Sequence, residues 1–169
     1  MNQDRNRSWG FALFGDDVRA EIGGKLSLMG MYQADMFFAA NVPLPIILPK
    51  LVILIMYFEI HDALQEDFSF KITYGAETNV LAEIPISRKD IVAGQTQATT
   101  AVENPTEDVE HIFHIRIPVS LSPFVVDKME RVRVRAHYND GKILKLGSIA
   151  LRQIPEAEFQ GLLGIKSTQ

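Results

Sequence analysis

Phe68, Phe70, Ile72 and Tyr74 alternate with Ser69, Lys71 and Thr73. A period of two belongs to an extended strand with one buried face. The same alternation runs from Val109 to Leu121. There Phe113, Ile115, Ile117, Val119 and Leu121 point one way and Glu110, His114, Arg116 and Ser120 the other. It returns from Arg131 to Tyr138, with Val132, Val134 and Ala136 turned inward. Leu51 to Phe58 is apolar throughout, preceded by Pro49-Lys50 and closed by Glu59. That run predicts a central strand over 51–60, buried on both faces. Val80 to Ile86 adds another strand, and Pro118 places part of 109–121 at a sheet edge.

Two short loops join such runs. Ile22-Gly23-Gly24 lies between Phe11–Ile22 and Leu26–Tyr32, and Asn139-Asp140-Gly141 lies between Arg131–Tyr138 and Lys142–Ile154. Each reads as a three-residue hairpin loop with glycine in the left-handed position. In the first hairpin this sets Glu21 opposite Lys25, Ala20 opposite Leu26 and Val18 opposite Leu28, with charges outside and apolar groups inside. In the second it sets Val132, Val134 and Ala136 opposite Ser148, Leu146 and Leu144. Asp16-Asp17 interrupts the first apolar run and suggests a bulge there.

Helix is scarce. Ser87 and Asp90 suggest a single turn over 88–92. Pro155 to Gly164, with early glutamates and a late glycine, predicts a short C-terminal helix. Pro43, Pro45 and Pro49 mark an extended connection, and residues 93 to 108 are polar and weakly patterned, with part of them read as an exposed edge strand. Seven or eight mostly antiparallel strands with so little helix predict an all-β fold, an antiparallel β-sandwich that is immunoglobulin-like or similar. A closed barrel is the alternative. Residues 1–8 read as a disordered N-terminus and 9–169 as one domain.

The chain has 169 residues, enough to bury a core without a disulfide or metal, and it has no cysteine. That excludes a disulfide framework, a cysteine nucleophile and cysteine-ligated metal, and it fits the cytoplasm. No signal peptide is read at the polar N-terminus, and the longest apolar run is far short of the ~20 residues of a membrane helix.

Candidate chemistry is sparse. His61, His111, His114 and His137 show no metal-ligand spacing, and Asp16, Asp17, Asp62, Asp67 and Asp140 do not form a dense calcium loop. No nucleophile elbow, zinc-protease motif or phosphate-binding loop occurs. The expectation is therefore no catalytic residue, no cofactor and no metal. Charge is uneven: residues 54–110 hold eleven acids and three bases, and residues 128–152 hold seven bases and two acids, in a chain of net charge -4. Arg131, Arg133 and Arg135 share the outward face of one strand at ~6.8 Å intervals, and Glu130 is expected to point to the other face. They are candidate binding residues for an acidic surface of this chain or another. The overall acidity and the lack of interleaved aromatics argue against nucleic acid. Asp16 and Asp17 are the second candidate pair, with one of them expected to be held by backbone N–H groups or a basic side chain. Phe159, Leu162 and Leu163 form an apolar stripe on the C-terminal helix and are candidate oligomer contacts.

Phe11 to Tyr32 carries Asp16-Asp17-x-Arg19, then Gly24-Lys25, Ser27 and Gly30 with an apolar pair after it. This stretch resembles the opening of a family of uncharacterised bacterial proteins classed only as a domain of unknown function. The later Pro-Leu-Pro and the central apolar strand are similar too; Gly15 stands where members often have cysteine. The resemblance covers about 22 residues, implies a bacterial, cytoplasmic, single-domain β-sandwich, and brings no assigned activity or functional residue. The expected function is non-enzymatic: a protein-interaction or assembly module, with a protein partner or self-association as a homodimer. A small-ligand or anion-binding sandwich is the alternative.

Overall fold

The computed structural model describes residues 8–60, 67–89, 112–162 and 164. In chain order the elements are β1 (Ser8–Gly15), β2 (Asp17–Glu21), β3 (Lys25–Met29), β4 (Asp35–Ala39), β5 (Ile46–Leu48), β6 (Leu51–Ile60), β7 (Phe68–Tyr74), β8 (Val80–Ile86), β9 (Ile112–Leu121), β10 (Phe124–Val126), β11 (Arg131–Tyr138), β12 (Ile143–Ile154) and α1 (Glu156–Leu162). Twelve strands among the described residues exceed the seven or eight read from sequence because three-residue ribbons such as β5 and β10 are too short to show a period. Some expectations fall outside the described residues: the turn beyond Lys89, the edge strand in 93–108, the start of the 109–121 strand with the Phe113 side chain, His61, Asp62, His111 and Leu163.

Two sheets carry the fold. One has the order β1-β6-β9, the other β4-β12-β11-β7-β8. All their pairings are antiparallel except β4 with β12, which is parallel. The arrangement is an all-β sandwich. β1, β6 and β9 take the A, B and E places of an immunoglobulin-type fold, and β7, β8, β11 and β12 the C, C′, F and G places. Two smaller ribbons, β2-β3 and β5-β10, hang from it. No helix among the described residues is long and apolar enough to cross a membrane.

The core lies between the sheets. Leu51, Ile53, Ile55 and Tyr57 from β6 meet Phe68, Phe70, Ile72 and Tyr74 from β7 and Val132, Val134 and Ala136 from β11, all buried. β9 closes the three-stranded sheet as its edge strand among the described residues, as Pro118 suggested. The sandwich is drawn together where β1 crosses β12. Gly10 and Gly147 lie there, and a Cβ on Gly10 would stand 2.5 Å from the Met56 carbonyl and 2.8 Å from Leu146 Cδ2.

The first hairpin has the register expected, with Glu21 opposite Lys25, Ala20 opposite Leu26 and Val18 opposite Leu28. Gly23 and Gly24 both have positive φ, 83° and 73°. In the second hairpin Ala136 faces Leu144 as expected, but a bulge between Val134 and Arg135 shifts the rest. Val134 faces Gly147 and Val132 faces Ile149. The extra residue on β12 keeps both Leu146 and Ile149 buried, which an unbroken alternation cannot do. Asp16 is a bend between two strands and not a bulge within one. Its N–H donates to Met29 O at 2.9 Å, and Tyr32 N–H donates to Phe14 O at 2.9 Å, so the chain leaves β1 and turns out into the β2-β3 hairpin. Ser8, read as part of the terminus, opens β1 and is buried.

Candidate functional site

The register of the three-stranded sheet builds a grid on its outer face. Trp9, Phe58 and His114 form one row, Phe11, Met56 and Arg116 the next, and Leu13, Leu54 and Pro118 the third. The first row is stacked across all three strands. Trp9 lies on Phe58 with ring centroids 5.6 Å apart and 12° between planes, and Phe58 lies on His114 at 5.5 Å and 14°. Phe11 leans on Phe58 at 6.3 Å. Burial and the Arg116 charge hold the His114 imidazole below its ordinary pKa, so the ring is neutral near pH 7. Trp9 remains 40% exposed and Phe11 43%. Val52 and Leu54 further along β6 are buried where the β2-β3 hairpin touches that strand. The expectation that β6 is buried on both faces therefore holds for its first half. Met56 and Phe58 are only half-buried, and the second half of the strand opens the aromatic face.

The arginines occupy the outer face of the other sheet. Arg131, Arg133 and Arg135 project from β11 as the alternation predicted, but they are half-buried. Arg135 pairs with Glu77 and is 17% exposed. Arg131 Nη1 donates to Ser148 Oγ at 2.9 Å, and Arg133 Nη1 to the carbonyls of Gly75 and, at 3.4 Å, Arg131. Lys71 beside them pairs with Glu83 at 3.3 Å. These partners hold the Glu77 and Glu83 carboxyls below the usual range, through Arg135 for the first and through Ser69 and then Lys71 for the second. Glu130 does not point to the opposite face. It precedes β11, so strand alternation does not govern it, and its carboxylate lies over Gly75 on the arginine side.

The two aspartates are engaged within the chain. Asp16 accepts a hydrogen bond from the Tyr32 hydroxyl and fills the space where a side chain on Gly30 would stand. Asp17 accepts from Lys50 Nζ at 2.6 Å and from Arg19 Nε at 3.3 Å, which lowers its pKa. Together they tie the hairpin to the end of the sandwich. On α1, Phe159 is half-buried and Leu162 is 60% exposed. The structure thus separates the sequence candidates: the arginines, the aspartates and the helix stripe do not converge on one site.

A polar network lies inside one end of the sandwich. Glu59 is 5% exposed and accepts a bond from the Tyr57 hydroxyl. The Tyr57 and Tyr138 hydroxyls are 3.0 Å apart, and Tyr138 reaches Ser8 Oγ at 3.0 Å. Burial raises the Glu59 pKa, against the smaller opposing effects of Tyr57 and Lys142. Below about 4.5, the ordinary glutamate value, the carboxyl is neutral folded and unfolded. Above it the unfolded chain ionises first, so stability falls as pH rises from there through the folded pKa. Glu59→Gln removes that loss. The melting temperature of the variant relative to wild type is expected to increase with pH across this window, and a difference independent of pH would refute the assignment.

The aromatic face escaped sequence reasoning because its rings come from three separate segments. The available signal was the period-two spacing of Trp9 with Phe11 and of Met56 with Phe58. A scan of the sequence against family models finds no match, and a search of curated proteins finds no relative.

Proposed function

We propose that this protein is a non-enzymatic interaction and assembly module, working in the cytoplasm, whose contact surface is the outer face of the three-stranded sheet. The observation that carries the reading is the stacked row Trp9–Phe58–His114 with Phe11 beside it, left open on one side of the sandwich. Contiguous exposed apolar surface marks association sites, and Trp, Met and Arg are the residue types enriched in interface centres. The occupant is a second copy of the chain. β1 gives the face an aromatic edge through Trp9 and Phe11, and β9 gives it a cationic edge through Arg116. A two-fold axis lying in the plane of the face, parallel to the strands, lays the aromatic edge of each copy on the cationic edge of the other, a self-complementary contact of cation–π type.

Trp9 is the sole tryptophan, so its fluorescence reports on this face alone. Raising the concentration through the micromolar range is expected to shift its emission to the blue while sedimentation velocity shows a dimer. Phe11→Ser with Arg116→Ser should leave the circular dichroism spectrum unchanged and abolish both effects. A wild-type protein that stays monomeric with an unshifted emission, or a variant that dimerises as well as wild type, would sink the reading.

A further inference from the structure

On the opposite side of the molecule, the outer face of the five-stranded sheet holds an open trough of about 700 Å³, lined by Arg131, Arg133 and Arg152 together with Glu130 and the backbone of Gly75. Arg131 and Arg133 are held in it by neutral oxygens, Ser148 Oγ for the first and the Gly75 and Arg131 carbonyls for the second. Each is fixed through a single terminal nitrogen. A guanidinium has five N–H donors. The Nε and Nη2 donors of both side chains therefore have no protein partner among the described residues. Arg152 differs: its Nε donates to Asp35 at 2.6 Å. Arg135 differs too, being paired with Glu77 outside the trough. Once Glu130 and Asp35 are set against the three lining arginines, one positive charge remains.

We propose that this trough is an oxyanion-binding site, taking a single carboxylate or phosphate group on the planar forks of Arg131 and Arg133. The half-burial of both side chains and their anchoring to neutral acceptors fix the forks before any ligand arrives, so little side-chain freedom is lost on binding. A carboxylate or phosphate presents two oxygens at the spacing such a fork matches. Neither arginine makes an ion pair among the described residues; side by side on one strand they repel each other, and an oxyanion between them removes that repulsion. Glu130 limits the choice of ligand. Its carboxylate lies over Gly75 in the lining of the trough, so the site favours a small oxyanion with a hydroxyl or ammonium group beside it over a densely charged polyanion.

The test is titration of the full chain with sodium phosphate and, separately, sodium acetate, with sodium chloride at matched ionic strength as the reference. The readout is the arginine Nε–H resonances in ¹⁵N-correlated spectra together with the melting temperature. Saturable shifts of the Arg131 and Arg133 signals, with a rise in melting temperature that chloride does not reproduce, support the site. Preference for phosphate or for acetate distinguishes the two sources of the group. Arg131→Gln with Arg133→Gln should weaken binding by about tenfold or more, as loss of charge-assisted bonds implies, whereas Arg135→Gln should leave it within about twofold. Arg133→Lys keeps the charge and the fold but loses the fork, and it too should weaken binding. Equal responses to chloride, or undiminished binding in the double variant, would overturn the proposal. The aromatic face lies on the other sheet, so dimerisation should be untouched by these substitutions.

Discussion

Phe70→Ala is expected to cost about 3–5 kcal/mol, the largest loss from any single change considered for this protein. Phe70 is fully buried at the middle of β7. It packs edge-on to Phe68 at 5.2 Å and to Tyr57 at 5.6 Å, so it joins the two sheets through aromatic contacts. Truncation removes the burial of the ring and leaves a cavity that rigid strands on both sides cannot close. Domains of this size hold about 5–15 kcal/mol in total. The variant should therefore melt at a clearly lower temperature, about 2–4 °C for each kcal/mol lost. Denaturant unfolding with an unchanged slope and a lower midpoint checks the origin of the effect. A shift under about 1 kcal/mol would show that Phe70 is not the pillar its contacts describe.

Gly10→Ala is expected to lower stability by about 1–3 kcal/mol, a large effect for one methyl group. The methyl would stand 2.5 Å from the Met56 carbonyl and 2.8 Å from Leu146 Cδ2, at the crossing of β1 with β12. Backbone cannot yield as the tip of a side chain can, so β1 must move away from one sheet or the other. Gly161→Ala in α1 is the control of opposite sign. Nothing lies within 4 Å of a methyl there, and alanine favours a helix by about 1 kcal/mol over glycine. Gly10 also lies between Trp9 and Phe11, so displacing β1 should disturb the aromatic face and weaken dimerisation beyond the loss of stability. A Gly10→Ala protein as stable as wild type would mean that the two sheets do not depend on this close approach.

Strand identity was legible wherever a face alternates over seven or more residues, because burial on one side of a pleat imposes a period of two on the residues themselves. Phe68 to Tyr74 and Val132 to Ala136 have the faces their sequences indicate. Loop chemistry was legible for the same local reason: Gly24 and Gly141 adopt positive φ, and the first hairpin takes the register that glycine placement and paired charges require. The bulge on β12 was not legible. Leu146, Gly147 and Ser148 present a local pattern that fits either register, and the choice depends on Ala12 of β1 lying against Gly147 across the sandwich.

The sequence by itself determined that the chain is all-β, which residues of β7 and β11 enter the core, that Arg131, Arg133 and Arg135 share a face, and that two hairpins close on glycines. Each of these follows from interactions between residues close along the chain or from the pleat. Tertiary structure alone decided the rest. It set β1 and β9 on either side of β6, so that Trp9, Phe58 and His114, far apart in sequence, became one stack. It brought Glu77 to Arg135 while leaving Arg131 and Arg133 with neutral acceptors, and it buried Glu59 beside two tyrosines. A strand's own pattern states which face it buries, but it does not state which strands will lie beside it. The partners of an outward-facing side chain are fixed only when the sheet is assembled.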